Sequence, residues 1–117
     1  MKEIIVENLI RKHLTENGWT VAPRKRQGID IEATKENRTA VIEAKGIGAH
    51  STAMTNNFYS VLGQILKDMT YSSTEYYVAF PEIEPYIRLW NNLPKLAKKR
   101  VKLHVIWVNN NGNVKGI

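Results

Sequence analysis

The segment from Gly28 to Gly46 limits the possible folds of this chain more than any other. From Ile29 to Thr34 apolar and polar residues alternate, with Ile29, Ile31 and Ala33 on one side and Asp30, Glu32 and Thr34 on the other. Thr39 to Lys45 reads as a second strand, and the polar tetrad Lys35-Glu-Asn-Arg38 between them reads as a turn. Two such runs around a short polar turn form an antiparallel hairpin, whose register is set once the turn is centred between Glu36 and Asn37. That register puts Asp30 directly opposite Glu43. Opposed residues carry Cβ atoms about 4.5–5.5 Å apart on one face, so two carboxylates there repel unless a cation lies between them. Lys45 shares that face with Glu43, while Ala44 points to the other. A lone acid or lysine on a strand is ordinarily solvated surface. The coincidence of Asp30 with Glu43-Ala44-Lys45, the apolar flanks in VIEAKG and a basic loop just upstream favours a metal site instead.

The rest of the chain supplies elements that can enclose this hairpin. Residues 2–17 carry Ile5, Leu9, Ile10 and Leu14 at helical spacing and stop at Asn17-Gly18, and 19–22 read as a short strand. Residues 46–57, rich in Gly, Ser, Thr and Asn, read as a loop. Residues 58–69 read as an amphipathic helix, with Gln64, Asp68 and Tyr71 in a row along its edge. EYYVAF, residues 75–80, fits a strand buried on both faces. A peripheral helix is expected over 85–93, a strand over 101–108, and after the Asn111-Gly112 turn an edge strand over 114–117. The expected architecture is an α/β sandwich: a central mixed sheet with order αβββαβ, then the peripheral helix and one or two C-terminal strands. The connection through the second helix should make the strands on either side of it parallel. A chain of 117 residues is expected to fold as a single domain spanning 1–117.

The chain has no Cys, which leaves oxygen or histidine ligands for any metal. An incomplete set of carboxylates suits Mg²⁺, with Mn²⁺ as a substitute. Such an ion acidifies water and neutralises charge on phosphate oxygens, and Lys45 would orient the attacking water or steady that charge. Seventeen Lys and Arg against eleven Asp and Glu give a net charge of +6, a balance that attracts polyanions. Arg24, Lys25 and Arg26, close upstream of Asp30, are placed to grip a phosphodiester backbone without reading bases. No apolar run is long enough for a membrane span, and the charged start lacks a signal-peptide pattern, so a cytoplasmic location is expected.

On these residues and this element order the chain resembles the PD-(D/E)xK nuclease superfamily, with its restriction-endonuclease-like fold, over roughly residues 2–80. The resemblance implies Asp30 as the first acid, Glu43 as the second and Lys45 as the lysine, with the backbone carbonyl of Ala44 as a further metal ligand. It implies Glu7 on the first helix as an additional acid and Gln64 as a group touching the water or a phosphate. Two departures stand out. Gly28-Ile29-Asp30 replaces the Pro-Asp pair, and Asp68 stands where the Gln-x-x-x-Tyr spacing of recombination exonucleases would put a tyrosine. The activity implied by the resemblance is that of a Mg²⁺-dependent DNA endonuclease, similar to small Holliday-junction resolvases and compact restriction enzymes, acting on duplex or branched DNA as a homodimer. The alternatives are a non-cleaving nucleic-acid-binding or assembly module on the same fold, and a recombination or CRISPR-type exonuclease.

Overall fold

Strands β2 (Ile31–Lys35) and β3 (Arg38–Ala44) pair antiparallel around Glu36-Asn37, with Ile31 opposite Ile42 and Lys35 opposite Arg38. Glu36 takes the positive φ, 54°, that a tight two-residue hairpin turn demands. The computed structural model describes residues 1–25 and 28–117. Before the hairpin stand α1 (Glu3–Glu16) and the two-residue β1 (Thr20–Val21); after it come α2 (Ser51–Asp68) and β4 (Glu75–Pro81). The chain ends with α3 (Glu84–Asn92), α4 (Lys95–Val101), β5 (Leu103–Val108) and β6 (Val114–Lys115). The strands form one six-stranded mixed sheet in the order β1-β2-β3-β4-β5-β6. β3, β4 and β5 run parallel, as the helical connection between β3 and β4 predicts, and the outer pairings are antiparallel. Among the described residues no helix is long and apolar enough to cross a membrane.

Strand alternation sorts the core onto two faces. Ile31, Ala33, Ala40, Ile42, Ala44 and Ala79 meet Val6, Ile10 and Leu14 of α1, and the run of alanines lets that helix sit close to the sheet. On the other face Val41, Tyr76, Val78 and Phe80 meet Met54, Phe58, Val61 and Ile65 of α2. Phe80 stacks between Phe58 and Tyr86, with centroids 5.2 and 4.6 Å away. The Tyr86 hydroxyl is buried and donates a 2.6 Å hydrogen bond to the Gly46 carbonyl, tying α3 to the exit of β3.

Four boundaries differ from the sequence reading. Helix α2 starts at Ser51, so most of the expected loop is helix. His50 caps it, its Nδ1 accepting from the Ala53 N–H at 3.2 Å. Met54 is the first side chain of α2 to be buried, and the polar residues around it hide the pattern. One peripheral helix is in fact two, broken at Pro94, which cannot continue α3. α4 runs to Val101, and Lys102 turns the chain out in the left-handed region before β5, which therefore starts at Leu103. At the front of the hairpin, β2 begins only at Ile31, leaving Asp30 in a bend beyond the ladder.

Across the far end of the β3–β4 pair, Arg38 grips Glu75 with two bonds of 2.7 and 2.8 Å and lies over the Trp19 ring. That guanidinium, ahead of a hydrogen bond from Tyr77, holds the Glu75 carboxyl down at about 2. A carboxyl lowered by folding adds stability above its ordinary value near 4.5, and loses it as pH falls towards 2. Glu75→Gln should therefore flatten the acid limb of a stability profile in this interval and leave it unchanged in shape near neutrality. Urea midpoints taken from pH 2 to 7 check this.

Candidate metal centre

The carboxylates of Asp30 and Glu43 each bind the backbone of the opposite strand end. The Asp30 N–H donates to Glu43 Oε1 at 3.0 Å, and the Ala44 N–H donates to Asp30 Oδ2 at 2.9 Å. This reciprocal clasp closes the mouth of the hairpin where the ladder ends. Arg11 secures it from behind, its guanidinium donating at 2.8 Å to the carbonyls of both Ala22 and Asp30. Within a strand, the N–H and C=O of one residue face the same edge. The Ala44 carbonyl therefore faces the edge at which its N–H meets Asp30.

Helix α1 brings two further acids to the same place. One carboxylate oxygen each of Glu3, Glu7 and Asp30 lie within 4.8 Å of one another. Glu3 and Glu7 stand one helical turn apart and so project from one face. What brings α1 over the hairpin exit is Gly46, where a side chain would collide with the backbone of Met1–Glu3. The Ile47 N–H donates to the Met1 carbonyl at 2.8 Å at the same junction. Gly46→Ala is accordingly expected to cost about 1–3 kcal/mol and to push Glu3 and Glu7 away from Asp30. A thermal melt reads the first effect, and weaker divalent-cation uptake reads the second.

From the opposite face, α2 contributes Asp68. Its carboxyl lies against that of Glu43, with the Gln64 amide approaching it from one turn earlier. Five of the eleven Asp and Glu residues thus form one connected row, Glu3, Glu7, Asp30, Glu43 and Asp68, in a chain of net charge +6. Glu43 is only 3% exposed, and burial drives its pKa up to about 8; the Asp30 N–H resists, while the charges of Asp30 and Asp68 add to the rise. Burial raises Glu7 as well, with Asp30 adding and Arg24 opposing. Asp68 is raised chiefly by burial too.

The cations nearby are engaged by these acids and their neighbours. Lys45 Nζ lies 3.5 Å from Glu3 Oε1. Arg24 donates to Glu7 Oε2 at 2.9 Å and to Asn8 Oδ1 at 2.7 Å, and Lys25 sits 3.9 Å from Glu32. Arg26 lies outside the described residues. Of the residues singled out in the sequence, Asp30, Glu43, Ala44 and Glu7 come together directly, Lys45 joins through Glu3, and Gln64 stands behind Asp68. Sequence reasoning assigns no role to Glu3, Arg11 or Asp68. The one-turn spacings Glu3 to Glu7 and Gln64 to Asp68 are the available signals.

The donor set fits a hard divalent cation. Every side-chain donor is a carboxylate, Glu43 is buried at high cost without a counter-charge, and Asp68 Oδ2 is sealed from solvent with no hydrogen-bond partner among the described residues. Asp30, Glu43 and the Ala44 carbonyl would hold such an ion, with Glu7 and Glu3 beside them.

These features define a mixed α/β protein with a carboxylate-rich centre at the mouth of a hairpin. No family model matches the sequence, and no curated protein does. Among solved structures the chain is similar to an XisH family protein from Nostoc punctiforme PCC 73102, with a TM-score of 0.67 and 17% identity over 97% of this chain and 98% of that one. It is similar also to an FdxN element excision controlling factor protein from Anabaena variabilis, with a TM-score of 0.68 and 16% identity over the same shares of each chain. Near-complete coverage at this identity means that the fold is shared along the whole chain.

Proposed function

We propose that the chain is a metal-dependent DNA endonuclease that hydrolyses phosphodiester bonds on a restriction-endonuclease-like scaffold of the PD-(D/E)xK kind. One observation carries this reading: at the hairpin mouth Glu43 accepts from the Asp30 N–H and Asp30 from the Ala44 N–H, beside Glu7 and Asp68 and within one side chain of Lys45. Held there, Mg²⁺ or Mn²⁺ supplies Lewis-acid charge neutralisation and acidified water. The protein's part is to fix the carboxylates in a half-dry setting and to present an ammonium. Lys45, 32% exposed, has the reach to leave Glu3 for an incoming phosphate. Arg24 and Lys25, on the solvent side of the same edge, offer backbone contacts once drawn off Glu7 and Glu32. Cutting both strands of a duplex or junction calls for two such sites, hence a twofold dimer. One fold neighbour is named for the control of excision of an element, a setting in which strand cutting is at home.

A panel of supercoiled plasmid, linear duplex and four-way junction, incubated with Mg²⁺ or with a chelator, tests the reading. Internal cuts that depend on the ion are expected. A second reading, a nucleic-acid-binding module that does not cut, is favoured by the pairing of Lys45 with Glu3 and of Arg24 with Glu7. Salt-sensitive binding to every substrate with no cutting in either Mg²⁺ or Mn²⁺ would select it. Shortening from ends only would point to an exonuclease.

A further inference from the structure

The metal-site reading leaves Asp68 without a task, although the residue is placed at some cost. It is the last residue of α2, where the helix dipole disfavours a negative charge. Its Oδ2 is sealed from solvent and accepts no hydrogen bond from the described residues. Its carboxyl faces that of Glu43, itself almost wholly buried, and the cation that acts on it is its own neighbour Lys67, exposed on the helix surface. The helix end and the sealed oxygen both disfavour a charge on Asp68, and Glu43 and Gln64 are the side chains that reach its carboxyl. A divalent cation held by Asp30 and Glu43 gives the Asp68 carboxylate a task, because it then backs a bound positive charge. The Gln64 amide, one turn earlier, approaches the Asp68 carboxyl and orients it.

We propose that Asp68 is a positioning residue of the cation site, a carboxylate from α2 that holds Glu43 towards Asp30 and adds its charge to the field on the ion, with Gln64 orienting it. The inference rests on the metal-site reading above. It extends the site across the sheet edge, so that α1 supplies Glu3 and Glu7 from one face and α2 supplies Asp68 from the other. Partners of this kind that orient a ligand commonly change metal affinity by about 10- to 100-fold when removed.

The test is Mn²⁺ binding by calorimetry on the whole chain, alongside thermal melts in chelator, for wild type, Asp68→Asn, Asp30→Asn and the exposed turn control Glu36→Gln. Asp68→Asn is expected to raise the Mn²⁺ Kd at least about tenfold. Its melting temperature in chelator should stay level or rise, because a charge that the C-terminal end of α2 disfavours is removed. A residue with a merely structural role would give the reverse pattern, a lowered melting temperature with unchanged affinity. An Asp68→Asn Kd within twofold of wild type, while Asp30→Asn loses binding, overturns the inference and leaves the metal site standing. If wild type takes up no Mn²⁺, the metal-site reading fails and the role of Asp68 fails with it.

Discussion

Lys45→Ala is expected to slow ion-dependent cutting by about 100- to 1000-fold while duplex binding changes only a few-fold. That is the usual loss when one preorganised cationic or hydrogen-bonding group is taken from a developing charge. Lys45 comes directly after Ala44 at the end of β3, and its backbone N–H is fixed at 3.0 Å to the Ala79 carbonyl. The base of the side chain is therefore rigid and only the ammonium travels. Its present partner, Glu3, belongs to the acid cluster, so the lysine is stored beside the place where it would act. Asp30→Asn should lose cutting to at least the same degree, and should also lose ion binding, which Lys45→Ala should keep. That contrast separates the group that holds the ion from the group that serves the phosphate. Single-turnover cutting rates paired with Mn²⁺ titrations would measure it. A Lys45→Ala variant that cuts at the wild-type rate would remove the lysine from the chemistry.

The other large effect concerns stability and has the opposite sign to most substitutions in a buried site. Burial first, then the charges of Asp30 and Asp68, push Glu43 to about 8. In the unfolded chain this carboxyl titrates near 4.5. Below 4.5 both states carry the proton and no penalty exists. Between 4.5 and 8 the unfolded chain ionises first, so stability falls as pH rises, and above 8 the full penalty remains. Glu43→Gln should remove that slope and, above pH 8 in chelator, leave the variant more stable than wild type by on the order of 2–4 kcal/mol. Saturating Mg²⁺ should stabilise wild type and flatten its slope, and should do neither for the variant. Guanidinium midpoints across pH 4 to 9, with and without the ion, are the measurement. A variant less stable than wild type at every pH would mean that Glu43 holds the fold through its bond to the Asp30 N–H and not as a stored ligand.

Much of the candidate centre can be read along the chain because it lies on one hairpin. Asp30, Glu43, Ala44 and Lys45 are linked by strand period and turn length, both local quantities. Helix α2 reads short in the sequence because His50 and the polar residues around Met54 offer no apolar period, although the cap supplies a start. The break at Pro94 is visible, but the basic residues beyond it give no stripe by which to recognise α4. Arg24 and Lys25 read as free to meet phosphate. Their partners Glu7 and Glu32 lie on other elements, α1 and β2, so the pairing emerges only on folding.

The residues alone determined the hairpin register, and with it the opposition of Asp30 and Glu43, since alternation and a two-residue turn leave one alignment that buries Ile31, Ala33, Ala40 and Ile42 together. Only the tertiary structure decided that Glu3, Glu7 and Asp68 join them. Their approach depends on how closely α1 passes Gly46 and on where α2 ends against β3, and such distances are set by side-chain volumes and backbone contacts between segments far apart in the chain.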